Sequence, residues 1–411
     1  MRGQQRLQQQ AMRMPRGYSE WLPYLLAFSI FSREIFGVYL MGSIFDVYQL
    51  SLAAIGIFQI RSLRRLAPIL WSMLAMLILG AFLLTTYGYS YGVLLKQGAA
   101  IVFVYLGYGS LLLQVKPNAL LRAYKLVVLY AAIFGIIQWV FSYTGVMLLM
   151  KAAGRLDSLA YEPSHYAVAI APAVFLALWS LIRKRHFRDW KSWVIVISMC
   201  LTVSLTSVIV MFVCVAMVTL NKKGIWMALA VVAGMVWLLS NPKYLPKDIS
   251  SRIEASQTYS ETGGALDKQN NSSVLSAASN WKVAKTTIER GRILGNGLGG
   301  NSYAYHEILG NTGFALHAHY GANDISGHCL LIRCISEFGI IGVIFYGFWM
   351  MRGIKAIVTE QQIWRALSAV YLVGRMVKIG GFMDYGMPVY MMAPIIFYGG
   401  RSLRRKNDKR K

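Results

Sequence analysis

The feature that most constrains this chain is a succession of apolar runs, each close to the length of a membrane span. The runs begin at Trp21 and continue, with basic turns between many of them, to Gly400. A helix needs about 20 mostly apolar residues to cross the hydrocarbon core of a bilayer. Hydrophobic residues make up 56% of the chain and charged residues only 14%, whereas soluble proteins carry about 25% charged residues. The sequence therefore predicts an all-α polytopic membrane protein.

Basic residues indicate how these runs are threaded. About 27 of the 42 Lys and Arg residues lie in the tails and short turns on one predicted side, which is the positive-inside pattern. The run 193–220 is too long for one span and has basic residues at both ends, so we expect two short helices that turn near 202–207. The result is about twelve spans with both termini cytoplasmic. The net charge of +25 then sets topology and contacts anionic membrane lipids, and no nucleic acid is expected as a partner.

Two polar segments interrupt the spans and are predicted to be external and partly helical. The longer one, 241–328, carries eight Lys or Arg and seven Asp or Glu residues, and this near-neutrality suits a translocated loop. Within it we expect a helix over 280–290 and a loop over 258–273. The predicted order is a cytoplasmic tail (1–20), five transmembrane helices (21–146), a first periplasmic loop (147–165), four helices (166–240), a large periplasmic loop (241–328), three helices (329–400) and a basic cytoplasmic tail (401–411).

Charged residues inside the predicted spans are candidate functional residues, because a charge in the bilayer is costly. Arg333 and Glu337 are one helical turn apart and are able to pair. Arg33 and Glu34 are adjacent and face different directions, so each needs another partner. Five cations against two anions leave a positive surplus that suits a pyrophosphate, with snorkelling side chains as the alternative. The seven residues are Arg33, Glu34, Lys96, Arg333, Glu337, Arg375 and Lys378.

A second candidate group lies in 154–167, just before a predicted span. Pro163 places Glu162 and His165 at the outer mouth of that helix. A partly desolvated carboxylate near Arg155 is suited to accept a proton from a substrate hydroxyl. The alternative is structural: Ser164 caps the helix, and Glu162 stabilises its positive end.

The large loop contains a glycine-rich run, 295–300, which spells G-x-G-x-x-G. No βαβ unit surrounds this run, so a dinucleotide site is not expected. The backbone around Gly297 either presents N–H groups to a phosphate or allows a tight bend. Both interpretations remain open from the sequence.

Histidines of the large loop do not predict a metal site. His306, His317 and His319 have no acidic or cysteine ligands at a suitable spacing, and the four cysteines lie in apolar segments. We therefore expect neither a metal nor a cofactor. His328, at the outer end of the next span, is a candidate for phosphate binding or proton transfer.

The order of these motifs resembles the O-antigen polymerase and ligase superfamily. A helix bearing Trp281 is followed by the run 295–300 and by a span that reads His328-Cys-Leu-Leu-Ile-Arg-Cys-Ile-Ser-Glu-Phe-Gly-Ile-Ile-Gly. The Gly-Arg…Glu-Pro-Ser-x-x-Ala stretch at 154–167 is similar to the first external loop of Wzy-type polymerases. The chain departs from the family pattern after the histidine, where Cys329 replaces the usual Asn.

The resemblance implies a metal-independent, GT-C-like glycosyltransferase of the bacterial inner membrane. It would move a growing glycan from undecaprenyl pyrophosphate onto a lipid-linked repeat unit at the periplasmic face, beside a flippase and a chain-length regulator of the same pathway. Glu162 would accept the proton of the acceptor hydroxyl, and His328 would assist the leaving group. The pyrophosphate or glycan would be held by Arg290, Arg155, His165, Arg333, Arg375, Lys378 and Gly297.

Three other functions agree with parts of the pattern. An O-antigen ligase uses the same donor but transfers the glycan to lipid A-core, and the Glu-Pro-Ser loop favours a polymerase over it. A flippase or transporter of twelve spans is a different class. The lack of a detectable half-to-half repeat and the long external segment argue against this class. The embedded cations argue against a purely scaffolding subunit.

Overall fold

The computed structural model describes residues 18–40, 43–60, 63–146, 154–160, 162–220, 225–261 and 271–408. Within these ranges the chain is largely helical, with one antiparallel two-stranded hairpin. The elements are α1 (Tyr18–Phe28), α2 (Ser32–Phe36), β1 (Gly37–Leu40), β2 (Ser43–Asp46), α3 (Val47–Phe58), α4 (Leu63–Thr86), α5 (Gly92–Leu112), α6 (Pro117–Ser142), α7 (Pro163–Leu178), α8 (Trp190–Cys200), α9 (Leu205–Thr219), α10 (Ile225–Ser240), α11 (Lys247–Glu261), α12 (Ser272–Glu289), α13 (Gly300–Leu309), α14 (Leu330–Val358), α15 (Ile363–Val377) and α16 (Met387–Asp408).

Five of the described helices are long and apolar enough to cross a membrane. They occupy 65–86, 92–112, 117–142, 163–183 and 330–358. On α4, the large side chains of Trp71, Ile78 and Phe82 are 61–69% exposed and share one face of the helix. A contiguous exposed apolar face of this kind suits lipid better than water. The predicted all-α class is confirmed, and the long helices agree with a membrane protein.

The predicted first span, 21–42, is divided, so that part of the prediction is wrong. α1 ends at Phe28, and a hairpin follows before α3 begins. α1 and α3 are each only about 17 Å long, against a hydrocarbon core of about 30 Å. The Asp46 carboxylate fixes the division, because it accepts hydrogen bonds from the Ser32 hydroxyl and from the Gln49 N–H (3.0 Å) that starts α3.

The apolar run 193–220 forms two helices, as predicted. α8 ends at Cys200 and α9 begins at Leu205. The Ser204 hydroxyl accepts a hydrogen bond from the Ser207 N–H (3.0 Å), and the Ser207 hydroxyl accepts one from the Ser204 N–H (3.3 Å). This reciprocal capping box starts a new helix inside a sequence that is apolar on both sides.

The polar segment 241–328 is more helical than predicted. The helix expected over 280–290 already begins at Ser272, where the Asn271 side chain accepts a hydrogen bond from the Val274 N–H (3.2 Å). The loop expected over 258–273 is therefore wrong at both ends, while 262–270 lies outside the described residues. Serine has a modest helix propensity, and the tertiary packing of buried Ser276 outweighs it.

A break in α14 at Gly339 joins the polar segment to the membrane helices. Gly339 has φ 55° and ψ −138°, a backbone conformation that essentially only glycine adopts. The break leaves helix carbonyls without intrahelical partners. Two N–H groups of the glycine-rich run 295–300 donate to the carbonyls of Ser336 (2.8 Å) and Glu337 (2.9 Å). The run is thus a docking loop that fills the break in α14.

A buried non-helical segment, 378–386, separates α15 from α16. Among the three helices predicted over 329–400, one is expected over 366–383, but α15 ends at Val377 and the non-helical segment runs past the end of that span. Backbone groups inside a bilayer must find partners within the protein. Here four helices supply side chains to six successive carbonyls. The donors are Arg333 to Gly380 (3.1 Å), Arg375 to Gly381, Tyr105 to Phe382 (2.7 Å), Gln49 to Met383 (2.7 Å), and Tyr371 to Asp384 (3.1 Å) and to Tyr385 (2.8 Å).

Substitution of Gly339 tests the docking of run 295–300 into α14. In Gly339→Ala the new Cβ would lie 1.8 Å from the Ile293 carbonyl oxygen, at a backbone conformation that alanine resists. We expect the free energy of unfolding to fall by at least about 2 kcal/mol. Gly347→Ala is the matched control, because Gly347 lies in the same helix with open space around it. That variant should change stability by less than about 1 kcal/mol. Equal unfolding curves for the two variants in detergent would contradict this account.

Candidate functional site

Glu162 lies at the start of α7, where its carboxylate is close to Ser164, His165 and Lys378. It occupies the N-cap position without a capping side-chain hydrogen bond, so the alternative in which Ser164 caps this helix is wrong. The carboxylate accepts a hydrogen bond from the Ser164 hydroxyl (3.0 Å). Its Oε2 lies 3.6 Å from Lys378 Nζ and 4.0 Å from His165 Nε2. With 39% of its side chain exposed, Glu162 is the accessible member of this group.

Arg155 interacts electrostatically with a cation of the other polar segment, Arg252. Arg252 on α11 and Asp248 one turn before it both act on the charge of Arg155, as does Glu162. Burial, and then the repulsion from Arg252, lowers the pKa of the Arg155 guanidinium. The Nε of Arg155 is buried and has no hydrogen-bond partner among the described residues. Charged residues of both polar segments thus act on Arg155.

His328 precedes α14 by two residues and is held to the segment 378–386. Its backbone carbonyl accepts a hydrogen bond from the Ile379 N–H (3.1 Å), and its Nδ1 lies 3.2 Å from the Ser276 hydroxyl. Burial lowers the pKa of His328 to about 3, with a further contribution from Lys378, while Glu162 opposes the shift. The imidazole is therefore neutral at physiological pH and acts as a hydrogen-bonding group.

Arg333 and Arg375 lie deeper, and their guanidinium groups hold protein backbone. Arg375 is fully buried and donates to the carbonyls of Gly381 and Asp384 (3.0 Å). Arg333 pairs with Glu337 as predicted, with 3.2 Å between Nε and Oε2. The observed contacts give both arginines a structural role in the segment 378–386. Their predicted contact with a pyrophosphate stays a prediction.

The predicted surplus of embedded cations is too large, because two further carboxylates pair with these cations. Arg33 pairs with Asp384, and Lys378 pairs with Glu162. Asp384 is not among the predicted embedded charges, because a continuous helix is expected over 366–383 and Asp384 falls just beyond it. Pairing within the protein therefore neutralises more of the embedded charge than the sequence predicts.

Arg290 belongs to a second, more exposed cluster. It forms an ion pair with Glu307, which also accepts hydrogen bonds from Arg292 (3.2 Å) and from the Tyr89 hydroxyl. Burial opposes ionisation of Glu307, but the hydrogen bonds from Tyr89 and Arg292 and the two guanidinium charges lower its pKa. Two cations share one carboxylate here. The assignment of Arg290 to catalysis stays a prediction.

Gly297 is packed against a membrane helix. Its φ is 83°, and a Cβ at this position would lie 2.7 Å from the carbonyl oxygen of Gly80 on α4. Its N–H already donates to the Glu337 carbonyl. Of the two interpretations left open by the sequence, the geometry favours the tight bend over an N–H group presented to a phosphate.

Tyr385 connects His165 to the N-terminal part of the chain. The Tyr385 hydroxyl lies 2.9 Å from His165 Nδ1 and donates to the Glu34 carboxylate. Adjacent Arg33 and Glu34 thus have separate partners, as predicted. Sequence reasoning missed that both partners, Asp384 and Tyr385, come from the segment 378–386. The pair of glycines at 380–381 was the available signal of a break in the helix.

Loss of the titrating group at His328 tests its burial as a neutral imidazole. Because its pKa is lower in the folded protein than the ordinary 6.5, the unfolded chain binds the proton more tightly. The free energy of unfolding should therefore fall as the pH drops below about 6.5, by about 2 kcal/mol at pH 5. His328→Asn keeps a residue that tolerates positive φ and should remove this part of the pH dependence. The check is thermal unfolding at pH 5 and pH 7.5. An unchanged pH dependence in the variant would count against this assignment.

No protein-family model matches the chain, and no curated protein sequence matches it.

Proposed function

We propose that this chain is a membrane glycosyltransferase that moves a glycan from a polyprenyl pyrophosphate to a hydroxyl group of a lipid-linked acceptor. The observation that carries the proposal is the accessible carboxylate of Glu162, which pairs with Lys378 (3.6 Å) and interacts electrostatically with Arg155, on which Arg252 also acts. Of these cations, Arg155 lies before α7, Arg252 on α11 and Lys378 at the end of α15. An acceptor hydroxyl needs a base, and a pyrophosphate leaving group needs positive charge, so this group of side chains suits both needs.

The opposed guanidinium groups support the anionic half of the site. Repulsion from Arg252 contributes to lowering the pKa of Arg155, and an anion bound near the two guanidinium groups would relieve it. A guanidinium presents a planar fork of N–H donors that matches phosphate oxygens. The buried Nε of Arg155, which has no hydrogen-bond partner within the described ranges, is a donor that such an anion would satisfy.

Glu162 supports the acceptor half of the site. In the proposed step its carboxylate takes the proton of the acceptor hydroxyl while that oxygen forms a bond to the anomeric carbon of the donor glycan. The bond from this carbon to the pyrophosphate oxygen breaks, and the leaving group keeps the electron pair. The cations stabilise the charge that develops on the leaving oxygen. In this proposal, neutral His328 hydrogen-bonds the pyrophosphate.

The proposal includes the number of membrane crossings, their arrangement and their orientation. We infer about twelve crossings in a GT-C-like arrangement, in the bacterial inner membrane, with cytoplasmic termini and a periplasmic site. The distribution of basic residues supports this orientation. Undecaprenyl pyrophosphate-linked oligosaccharides would be the substrates, supplied by a flippase and limited in length by a chain-length regulator.

Removal of the base tests the reaction. Purified protein in detergent is given lipid-linked repeat units extracted from the producing bacterium, and product length is read on gels. We expect longer lipid-linked glycans with the wild type and a loss of at least about 100-fold in rate with Glu162→Gln, as for loss of a general base. Glu254→Gln is the matched control, because Glu254 is an exposed carboxylate of the neighbouring α11. Full elongation by Glu162→Gln would remove Glu162 from the site.

The same assay separates the competing functions. Transfer only to added lipid A-core would indicate a ligase. Movement of lipid-linked glycans across proteoliposomes without elongation would indicate a flippase. Either result contradicts a polymerase.

Removal of the opposed cations tests the donor site without turnover. Inorganic pyrophosphate should raise the thermal unfolding temperature of the wild type. Arg155→Gln and Arg252→Gln should each weaken this effect, with about a 10-fold rise in the half-maximal concentration, since each contributes one charge-assisted contact. Lys247→Gln is the matched control, because Lys247 is an exposed cation of the same helix. Arg290→Ala, measured in parallel, tests the remaining sequence-based assignment. Equal pyrophosphate binding in both variants and the wild type would refute this donor site.

A further inference from the structure

A line of four ionisable side chains runs from the candidate base into the protein. Glu162 Oε2 lies 4.0 Å from His165 Nε2, and the opposite ring nitrogen, Nδ1, lies 2.9 Å from the Tyr385 hydroxyl. That hydroxyl donates to the carboxylate of Glu34. One imidazole and one phenol thus link two carboxylates that are 128 positions apart in the sequence.

Within this line, Tyr385 is buried and its backbone is held in place, whereas the two carboxylates at the ends are at least partly exposed. Tyr385 is only 3% exposed, and its backbone carbonyl is held by the Tyr371 hydroxyl (2.8 Å). Glu162 is 39% exposed at the mouth of α7. Glu34 is partly exposed, next to the exposed side chain of Ile35. Tyr385 is therefore the shielded link of the line, and the carboxylates at its two ends are at least partly accessible.

The charges around the line are paired, so a proton moves along it without meeting an isolated charge. Arg33 lies over the Tyr385 ring, 5.8 Å from its centroid, and pairs with Asp384. Lys378 pairs with Glu162. The charged groups that act on His165 are Glu162, Lys378, Arg33 and Asp384.

We propose that Glu162, His165, Tyr385 and Glu34 form a proton relay that clears the proton taken up by Glu162 in each transfer step. This proposal rests on the proposed function. A protonated Glu162 loses its ion pair with Lys378, which favours prompt release of the proton. A small rotation of the accessible Glu162 side chain closes the 4.0 Å gap to His165.

The relay step conserves protons and charge. Glu162 gives its proton to His165 Nε2, and His165 Nδ1 gives its own proton to the Tyr385 oxygen. Tyr385 passes its hydroxyl proton to Glu34, which releases it to water. Each oxygen or nitrogen in the middle gains one proton and loses one. A flip of the imidazole and rotation of the phenol proton restore the starting state.

Tyr385→Phe cuts the relay while keeping the ring. In the elongation assay we expect kcat to fall by at least about 10-fold, as for loss of one proton-transfer partner. KM for the lipid-linked repeat unit should not change, and the solvent deuterium isotope effect on kcat should rise, because proton removal becomes rate-limiting. Tyr105→Phe is the matched control, since it removes another phenolic hydroxyl that donates to the same segment. The control should lose stability without a change in the isotope effect. An unchanged kcat and isotope effect in Tyr385→Phe would overturn the relay.

Infrared titration of the full-length protein gives a readout that does not need turnover. Glu162→Gln and Glu34→Gln each identify one carboxyl band. We expect Glu34→Gln to move the titration midpoint of Glu162, and this coupling should disappear in the Tyr385→Phe background. If Glu34→Gln leaves the titration midpoint of Glu162 unchanged, the relay is overturned, even if the protein elongates glycans. A wild type that elongates nothing but keeps the infrared coupling contradicts the proposed function and not the relay.

Discussion

Six successive backbone carbonyls, from Gly380 to Tyr385, each accept a hydrogen bond from a side chain. An unsatisfied backbone group in a bilayer costs several kcal/mol, so the non-helical segment 378–386 is tolerable only with these donors. Because the donors come from α3, α5, α14 and α15, the same hydrogen bonds fix four helices relative to one another. Two of the donors, Arg333 and Arg375, are buried arginines. Their hydrogen bonds to these carbonyls offset part of the free energy that burying a charged side chain costs.

The same segment supplies the side chains of the candidate site. Lys378 pairs with Glu162, Asp384 with Arg33, and the Tyr385 hydroxyl lies between His165 and Glu34. The carbonyls of this segment are held by the helices, and its side chains contact the start of α7 and the charged residues of α2. The non-helical segment 378–386 therefore positions both the ion pair of Lys378 with Glu162 and the hydrogen bonds that Tyr385 forms with His165 and Glu34.

The polar segment 241–328 is also attached through carbonyls that a break in a helix leaves without intrahelical partners, in this case those of α14. The run 295–300 supplies N–H groups to the carbonyls that the break at Gly339 leaves open. Arg252 on α11, in the same polar segment, acts electrostatically on Arg155 of the first polar segment. The glycines act through backbone geometry, and the charged contacts of the site come from side chains elsewhere in the segment.

The sequence by itself determined the features that depend on local composition and spacing. The apolar runs predicted the helical class, basic ends and a Thr–Ser cluster predicted two helices in 193–220, and the four-residue spacing of Arg333 and Glu337 predicted their ion pair. The capture of carbonyls by distant side chains was decided only by the tertiary structure. Gln49 and Tyr105 lie more than 270 positions from the carbonyls they satisfy, and no local pattern encodes that pairing. For the same reason the sequence missed Asp384, Tyr385 and Arg252: each gains its candidate role from a neighbour that only folding brings within reach.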